Sequence, residues 1–596
     1  MGTGYAIRGA PCTKLQNSFI CVTFCLFGYR YHPAFRRVPR MSKTSKKTTG
    51  LSTDKNWWRQ AAIYQIYPRS FADSNGDGIG DIKGITSRIP YLKSLAIDAV
   101  WLSPFYPSAL ADGGYDVDDY RNVDPKLGTL EDFDEMLAGL HKEGIRVFVD
   151  IVPNHSSNLH EWFKEALAAK PGSKARERYI FRDGKGVNGE LPPSDWVSHF
   201  APSAWTHEST FGGKNGQWFL HWFAPEQPDF NWENREVQKD FLKTLKFWSD
   251  RGVDGFRIDV AHGLAKDLSE PFRSMPVHEG LEQRGNKGKG IWGDRNEVFA
   301  IYKEWRKLFN QYDPPRVAVA EAFVHPERLP LYASTKTLGQ CFDFRFIETP
   351  FEAHAYKVAT KEAIELAQKN KSSCTWTLSN HDQIRHATKM GLNPAVNRRA
   401  WMLSDGTSHP LDKESGTANA LAASVYILGL PGSTYMYQGE ELGLHEVTDI
   451  PESEIQDPQY LRNLKVDKGR DGCRVPLPWT ATGSSFGFGT GGAHLPQPKW
   501  FADYAVEVEE KNSDSPLAIY RKALALRKEL QTKEEIKWHK TTDISVLHYS
   551  RPNGWNVIIN FRAENYPMPK GELLLSTRPL NNGKIPAGTT VWFKKK

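Results

Sequence analysis

Acidic residues are missing from the first 53 positions, which carry nine basic ones: Arg8, Lys14, Arg30, Arg36, Arg37, Arg40, Lys43, Lys46 and Lys47. The formal charge of +7 therefore comes from one end. Removing those nine from the 77 Lys and Arg of the 596-residue chain leaves 68 against 70 Asp and Glu, so the body is nearly neutral. That excludes nucleic acid as a partner on electrostatic grounds. Cysteine is scarce as well: Cys12, Cys21 and Cys25 lie in the basic segment, leaving Cys341, Cys374 and Cys473 for the body. Three scattered cysteines make no disulfide framework and suit a reducing, cytoplasmic compartment. The apolar run Phe19 to Phe27 is too short to cross a bilayer, so no membrane association is expected. Residues 1–53 read as a disordered extension. A poor signal peptide and an organelle presequence both fit its composition, leaving a secreted or organellar location open. Translated upstream sequence with Met41 as the start fits better, because no small-residue cleavage site follows the apolar run.

From Trp57 onward, short apolar runs alternate with amphipathic helical stretches, the pattern of repeated βα units around a parallel sheet. Eight runs read as strands: Ala62 to Tyr67, Ala99 to Leu102, Val147 to Val152, Gly255 to Val260, Val317 to Ala320, Cys341 to Phe344, Thr375 to Leu378 and Ser433 to Tyr437. Eight strands with helical returns predict an α/β fold, a (β/α)8 TIM barrel with its site at the carboxyl ends of the strands. The rhythm stops after strand three, so 156–225 reads as an irregular inserted subdomain between barrel segments 54–155 and 226–530. A helix from Pro516 to Leu530 should close the barrel. Arg551-Pro552-Asn553-Gly554 lies between alternating apolar runs, a hairpin signal that predicts a small antiparallel β domain over 531–596.

Two of the strands end in a carboxylate: Gly255-Phe256-Arg257-Ile258-Asp259 and Val317-Ala318-Val319-Ala320-Glu321. A strand buried on both faces cannot leave an ionised group in its middle, so the acids should emerge at the barrel mouth. Ion-pair networks also hold acids there, but two carboxylates in one cleft are what cleavage of a glycosidic bond requires. Arg257 points the same way as Asp259 and should keep that acid ionised. Glu321 has no cation beside it in sequence, so desolvation should leave it protonated, as a general acid must be. Aromatic residues make up 12% of the chain, and those that are not core are candidate sugar-stacking surface.

Strand three ends Asp150-Ile151-Val152-Pro153-Asn154-His155, and strand seven runs into Ser379-Asn380-His381-Asp382. With the two acid-tipped strands between them, these segments resemble, in order and spacing, the four signature regions of the α-amylase family of glycoside hydrolases (family 13). The resemblance spans the body from Trp57 to the C-terminus. It implies Asp259 as nucleophile, Glu321 as acid/base and Asp382 as a third carboxylate that grips sugar hydroxyls, with His155, His381 and Arg257 at the bound ring. Retention of anomeric configuration is implied, with the two carboxyl groups about 5 to 5.5 Å apart.

Asp112-Gly113-Gly114-Tyr115-Asp116, Gln227-Pro228-Asp229-Phe230-Asn231-Trp232 and Arg470-Asp471-Gly472-Cys473-Arg474 are similar to segments of the α-glucosidase and oligo-1,6-glucosidase branch. In that branch the residues matching Asp112 and Arg474 clasp the far hydroxyls of a terminal glucose, and the one matching Tyr115 stacks on it. Phe200, Phe223 and Gln227 match further pocket positions. The expected substrate is thus a short oligosaccharide or disaccharide, trimmed from its end by a monomer or weak homo-oligomer. Asp73-Ser74-Asn75-Gly76-Asp77-Gly78-Ile79-Gly80-Asp81 places oxygen side chains at alternate positions, the spacing of a calcium loop, although Gly84 stands where an EF-hand has its bidentate Glu. Similar loops in the branch hold a structural Ca2+ or Mg2+ through Asp73, Asn75, Asp77, the Ile79 carbonyl and Asp81. No cofactor is needed for the chemistry.

Ile384 replaces a proline common in the family, and Cys473 interrupts the arginine segment. Val260 resembles α-1,6-selective members whereas Glu321-Ala322-Phe323 looks like the maltase type, so linkage preference stays open between maltose, isomaltose and sucrose types. Transfer of glucose to another acceptor, or disaccharide isomerisation, is the alternative on the same scaffold. A catalytically dead relative, like the glucosidase-like ectodomains of amino-acid transporters, is disfavoured because all three acids are present.

Overall fold

A computed structural model describes residues 50–200, 203–275, 287–463 and 465–595. The expected extension therefore lies outside the described residues but for its last four positions. The eight parallel strands are β1 (Ala62–Ile66), β2 (Ala99–Leu102), β3 (Arg146–Ile151), β4 (Gly255–Ile258), β5 (Val317–Ala320), β6 (Gly339–Cys341), β7 (Thr375–Thr377) and β8 (Ser433–Tyr437). Every residue in them is buried, the condition of strands enclosed on both faces. Their order is β7-β8-β1-β2-β3-β4-β5-β6. The ring is completed between β6 and β7 by one parallel bridge, Asp343 to Trp376, where the Asp343 N–H donates to the Thr375 carbonyl at 3.0 Å.

β6 begins at Gly339, two residues before the stretch that the sequence suggests. Gly339-Gln340-Cys341 has no β-branched residue, and Gly339 sits at φ +107°, so a search for apolar runs slides past it. The helical returns form where patterning places them. In α1 (Leu130–Lys142) a capping box joins Thr129 and Asp132, while α2 (Arg235–Arg251) starts under the Asn234 side chain and stops at Gly252 with φ +113°. On α3 (Val298–Phe309) the stripe Val298, Ile301, Tyr302, Trp305 and Phe309 is buried.

The stretch after β3 is more regular than expected. It holds a helix, Glu161–Ala168, and an antiparallel sheet of three short strands with Gln217–Leu220 between Phe181–Asp183 and Trp205–His207. Strands of three and four residues leave too little alternation to be seen in sequence. At the other end, five antiparallel strands between Lys537 and Lys594 form the expected sheet. It packs on α4 (Lys413–Gly429), where the Tyr549 hydroxyl donates to the Tyr426 carbonyl and Thr590 Oγ1 to the Ala422 carbonyl, both at 2.7 Å. Contact is so close at the helix end that a Cβ on Gly429 would lie 2.5 Å from the Tyr549 hydroxyl. Among the described residues no helix is long and apolar enough to cross a membrane.

Candidate active site

The carboxyl ends of the strands deliver the acids to one place. Asp259 leaves β4 with its N–H bonded to the Ile151 carbonyl of β3, and Glu321 leaves β5 bonded to the Ile258 carbonyl of β4. Between them Val260 takes φ +42°, an uncommon conformation for a β-branched residue, and its N–H donates to Glu321 Oε2 at 3.0 Å. Asp259, Glu321 and Asp382 all line a cavity of about 410 Å3, together with Asp112, Tyr115, His155 and Phe223.

Arg257 lies beneath the acids, 1% exposed. Its Nη1 donates to Asp259 at 2.6 Å and to Asp150 at 2.9 Å, and its Nη2 pairs with Glu321 at 2.9 Å. One guanidinium therefore serves three carboxylates. This corrects the expectation that Arg257 keeps Asp259 low: burial pushes the Asp259 carboxyl well above the ordinary range, Arg257 opposes, and Glu321, Asp150 and Asp382 push the same way as burial. Burial likewise lifts Asp150 to about 7 against the pull of Arg257. Asp259 and Asp150 thus share one cation, and neighbouring acids push both upward, in the same direction as their burial.

Asp382 lies on the opposite balance. Burial alone would raise it, but His381, Arg470 and Arg474 hold it well below the usual carboxylate range. Arg474 Nη2 donates to Asp382 at 2.8 Å and Arg470 Nη1 at 3.2 Å. His381 is fully buried, and burial pushes its ring down while Asp382 pushes it up; its Nε2 meets the Tyr115 hydroxyl at 2.6 Å and its Nδ1 meets the Gln65 amide at 2.6 Å. Tyr115 also stacks on the His381 ring with centroids 5.3 Å apart.

Not every expected residue faces the cavity. Arg257, His381, Gln227, Phe200 and Arg474 lie behind its wall. Gln227 donates to Asp112 at 3.1 Å, and Phe200 lies under the Arg470 guanidinium, 5.5 Å from it. The partner of Asp112 is Arg470, which donates to it at 2.6 Å and lines the cavity; Arg474 sits deeper, its Nε bonded to the His381 carbonyl at 2.9 Å. Arg470 caps the single turn Asp471–Arg474 and Arg474 ends it, so both face inward, and only the depth of each separates their duties. Asp457 holds Arg470 from the other side at 2.7 Å, and no motif in the sequence pointed to it. Asn380, Gln383, Arg399, Phe323 and Phe344 complete the mouth.

Loop 73–81 turns its oxygens on its own backbone. Asp73 accepts from the N–H groups of Asn75, Gly76 and Gly78, Asn75 accepts from Asp77, and Asp77 accepts from Ile79. Asp81 is spent on Ser74 and on the Gly84 N–H at the start of a helix. Among the described residues no group of three or more His, Cys, Asp or Glu is arranged to hold a metal ion.

Comparison with known proteins agrees with this arrangement: residues 65–535 match the alpha amylase catalytic domain. The chain belongs to the α-amylase family. Within that family it is 36% identical over 528 residues to a probable alpha-glucosidase of Rhizobium meliloti, covering 86% of this chain and 90% of that protein. It is 34% identical to an oligo-1,6-glucosidase of Parageobacillus thermoglucosidasius, covering 80% and 84%. Among solved structures, the alpha-glucosyl transfer enzyme XgtA superposes with a TM-score of 0.77 at 31% identity, covering 90% of this chain and 99% of that one.

Proposed function

We propose that this α-amylase family member is a retaining, exo-acting α-glucosidase that removes terminal α-linked glucose from short oligosaccharides or disaccharides. The observation that carries the reading is the grip of Asp259 and Glu321 on neighbouring nitrogens of one guanidinium at 2.6 and 2.9 Å. Two acids gathered on one guanidinium can act on a single anomeric carbon, as double displacement requires. In the first step Asp259 attacks the anomeric carbon while Glu321 protonates the departing glycosidic oxygen. In the second, Glu321 takes a proton from water, which displaces Asp259 with a second inversion. Asp382, kept ionised by two arginines, accepts hydrogen bonds from ring hydroxyls. Asp112 and Arg470, joined at 2.6 Å, close the end of the pocket, which favours a chain terminus over an internal segment.

A second reading is transfer of the glucosyl group to another sugar or alcohol in place of water, supported by the likeness to a glucosyl transfer enzyme. Maltose followed by proton NMR separates the two. Hydrolysis gives α-glucose first, mutarotating afterwards, with activity lost by roughly three orders of magnitude or more in Asp259→Asn. New disaccharides or trisaccharides at early times would favour transfer, and β-glucose as first product would overturn the retaining reading. The proposed domain division sets 54–155 and 226–530 as barrel, 156–225 as insertion and 531–596 as C-terminal domain. Free Cys341, Cys374 and Cys473 support a cytoplasmic site of action, as a monomer or weak oligomer. A structural Ca2+ or Mg2+ in loop 73–81 has only its alternating oxygens in support, and takes no part in the chemistry.

A further inference from the structure

Between β7 and α4 the chain makes a detour. The short helix His386–Gly391 is followed by residues 392–412, which carry a second helix, Arg398–Leu403, before α4 begins. The detour has a small core of its own: Leu392, Trp401 and Met402 are buried, and Ile384, Val396 and Leu411 pack against them. The Trp401 indole donates to the His409 carbonyl at 3.0 Å, and the Asn397 side chain caps the helix by accepting from the Ala400 N–H at 3.1 Å. The exposed face of this helix is therefore a fixed platform. Through Arg399 it reaches the catalytic cavity.

Two arginines line that cavity, and they are engaged very differently. Arg470 is surrounded by Asp112, Asp382 and Asp457. Arg399 has one carboxylate partner among the described residues, Asp467 at 2.8 Å. That carboxylate is shared, since it also accepts from the Gln459 amide at 2.9 Å and from the Gly469 N–H at 3.0 Å. A guanidinium carries five N–H donors in a fixed fork, so Arg399 keeps donors for a ligand where Arg470 has spent its own on the pocket wall.

Depth decides which part of a substrate Arg399 can meet. The side chains of Asp112 and Arg470, at the closed end, are 5% and 13% exposed, whereas that of Arg399 is 58% exposed. A sugar whose terminal ring fills the closed end must send its remaining part out past the rim. Five carboxylates line the cavity against the two guanidiniums, so an anionic group gains little there. Hydroxyls accept from N–H groups and donate to carboxylates, and gain on both counts. Phe323 and Phe344, which follow β5 and β6, stack with centroids 4.8 Å apart and add apolar surface to the same mouth.

We propose that Arg399 is a specificity-determining residue that hydrogen-bonds the hydroxyls of the departing sugar, so that the pocket prefers a glycosyl leaving group to one without hydroxyls. That role rests on the glucosidase reading of the pocket and adds to it the chemistry of the group released. The test compares, in the full-length protein, the best-cleaved disaccharide among maltose, isomaltose and sucrose with α-D-glucosyl fluoride, which brings no second ring. Arg399→Ala lowers kcat/KM for the disaccharide about 10- to 100-fold and leaves that for the fluoride within about twofold. Arg399→Lys, which keeps the charge without the fork, recovers only part of the loss. Equal losses on both substrates would show that Arg399 acts through the fold, and an unchanged disaccharide rate would show that it makes no contact; either overturns the proposal. Turnover of the fluoride but of no disaccharide overturns it as well. If the unaltered enzyme releases glucose from none of these, the glucosidase reading fails by itself and isothermal titration decides the role of Arg399. Arg399→Ala then weakens maltose binding about tenfold or more and leaves glucose binding unchanged, and equal weakening of both sugars, or of neither, overturns the proposal.

Discussion

At the residue scale, the site is governed by how few cations serve its acids. Arg257 touches Asp150, Asp259 and Glu321, so its removal strands three buried carboxylates at once. Arg257→Gln is therefore expected to lower kcat/KM by roughly 10^2- to 10^4-fold. The guanidinium is what opposes the upward push of burial on Asp259, and the nucleophile must be ionised to react. Hence the acidic limb of the pH–rate profile should move to higher pH in the variant. A limb that stays in place would show that Arg257 does not set the charge of the nucleophile. Sequence conveyed this only in part: spacing placed Arg257 beside Asp259, but Asp150 lies more than a hundred positions away, and sharing of a cation is a tertiary fact. The same limit applies to Arg470 and Arg474. Four residues apart on one turn, they are equivalent as letters, and only Asp112 and Asp457 tell them apart.

At the scale of elements, the strands were legible and the loops were not. Parallel strands buried on both faces appear as unbroken apolar runs, which is why β2 and β5 match the sequence reading to the residue. β6 did not match so well, since a glycine, a glutamine and a cysteine carry no such signal. The insertion hid a real sheet behind very short strands. Loop 73–81 shows the converse, a spacing that announces a cation while its Asp and Asn side chains cap their own backbone. If a divalent ion displaces those hydrogen bonds, millimolar Ca2+ or Mg2+ raises Tm by several degrees over EDTA-treated protein, and Asp77→Ala abolishes the gain. Equal Tm with EDTA and with either ion removes the metal from the account, and activity at saturating substrate should be unchanged in both cases.

At the scale of the whole molecule, burial of titratable groups sets the response to acid. Burial lowers His155 and His386 to about 3, and His160, His221, His445 and His548 to about 4. Each contributes stability that is present above an unfolded value of about 6.5 and lost as pH falls toward the folded one. Burial raises Asp150, Glu440, Glu446 and Glu509 to about 7 and Asp116 to about 6. These contribute stability that is full below about pH 4 and lost as pH rises through the folded value. From pH 6.5 down to about 4.5 the two sets largely offset each other. Below that, the acids are protonated in both states and add nothing more, while the histidines still resist charging. Asp457, held near 2 by Arg470 against its burial, adds to the loss. Calorimetry should therefore find Tm nearly level between pH 7 and about 4.5, then falling steeply. A uniform decline starting at pH 6.5 would contradict the opposition of the two sets.

The join between β6 and β7 also bears on how broad a sugar the protein admits. Phe344 and Ile347 follow β6, Asn380 and Gln383 follow β7, and all four border the catalytic cavity. The entrance thus straddles the one place where the ring of strands is held by a single bridge. Parting the ring there sacrifices one pairing, whereas parting it between β4 and β5 would break four. A mouth that widens for a bulkier aglycone would part on that side first, leaving the nucleophile and acid/base on strands joined along their full length.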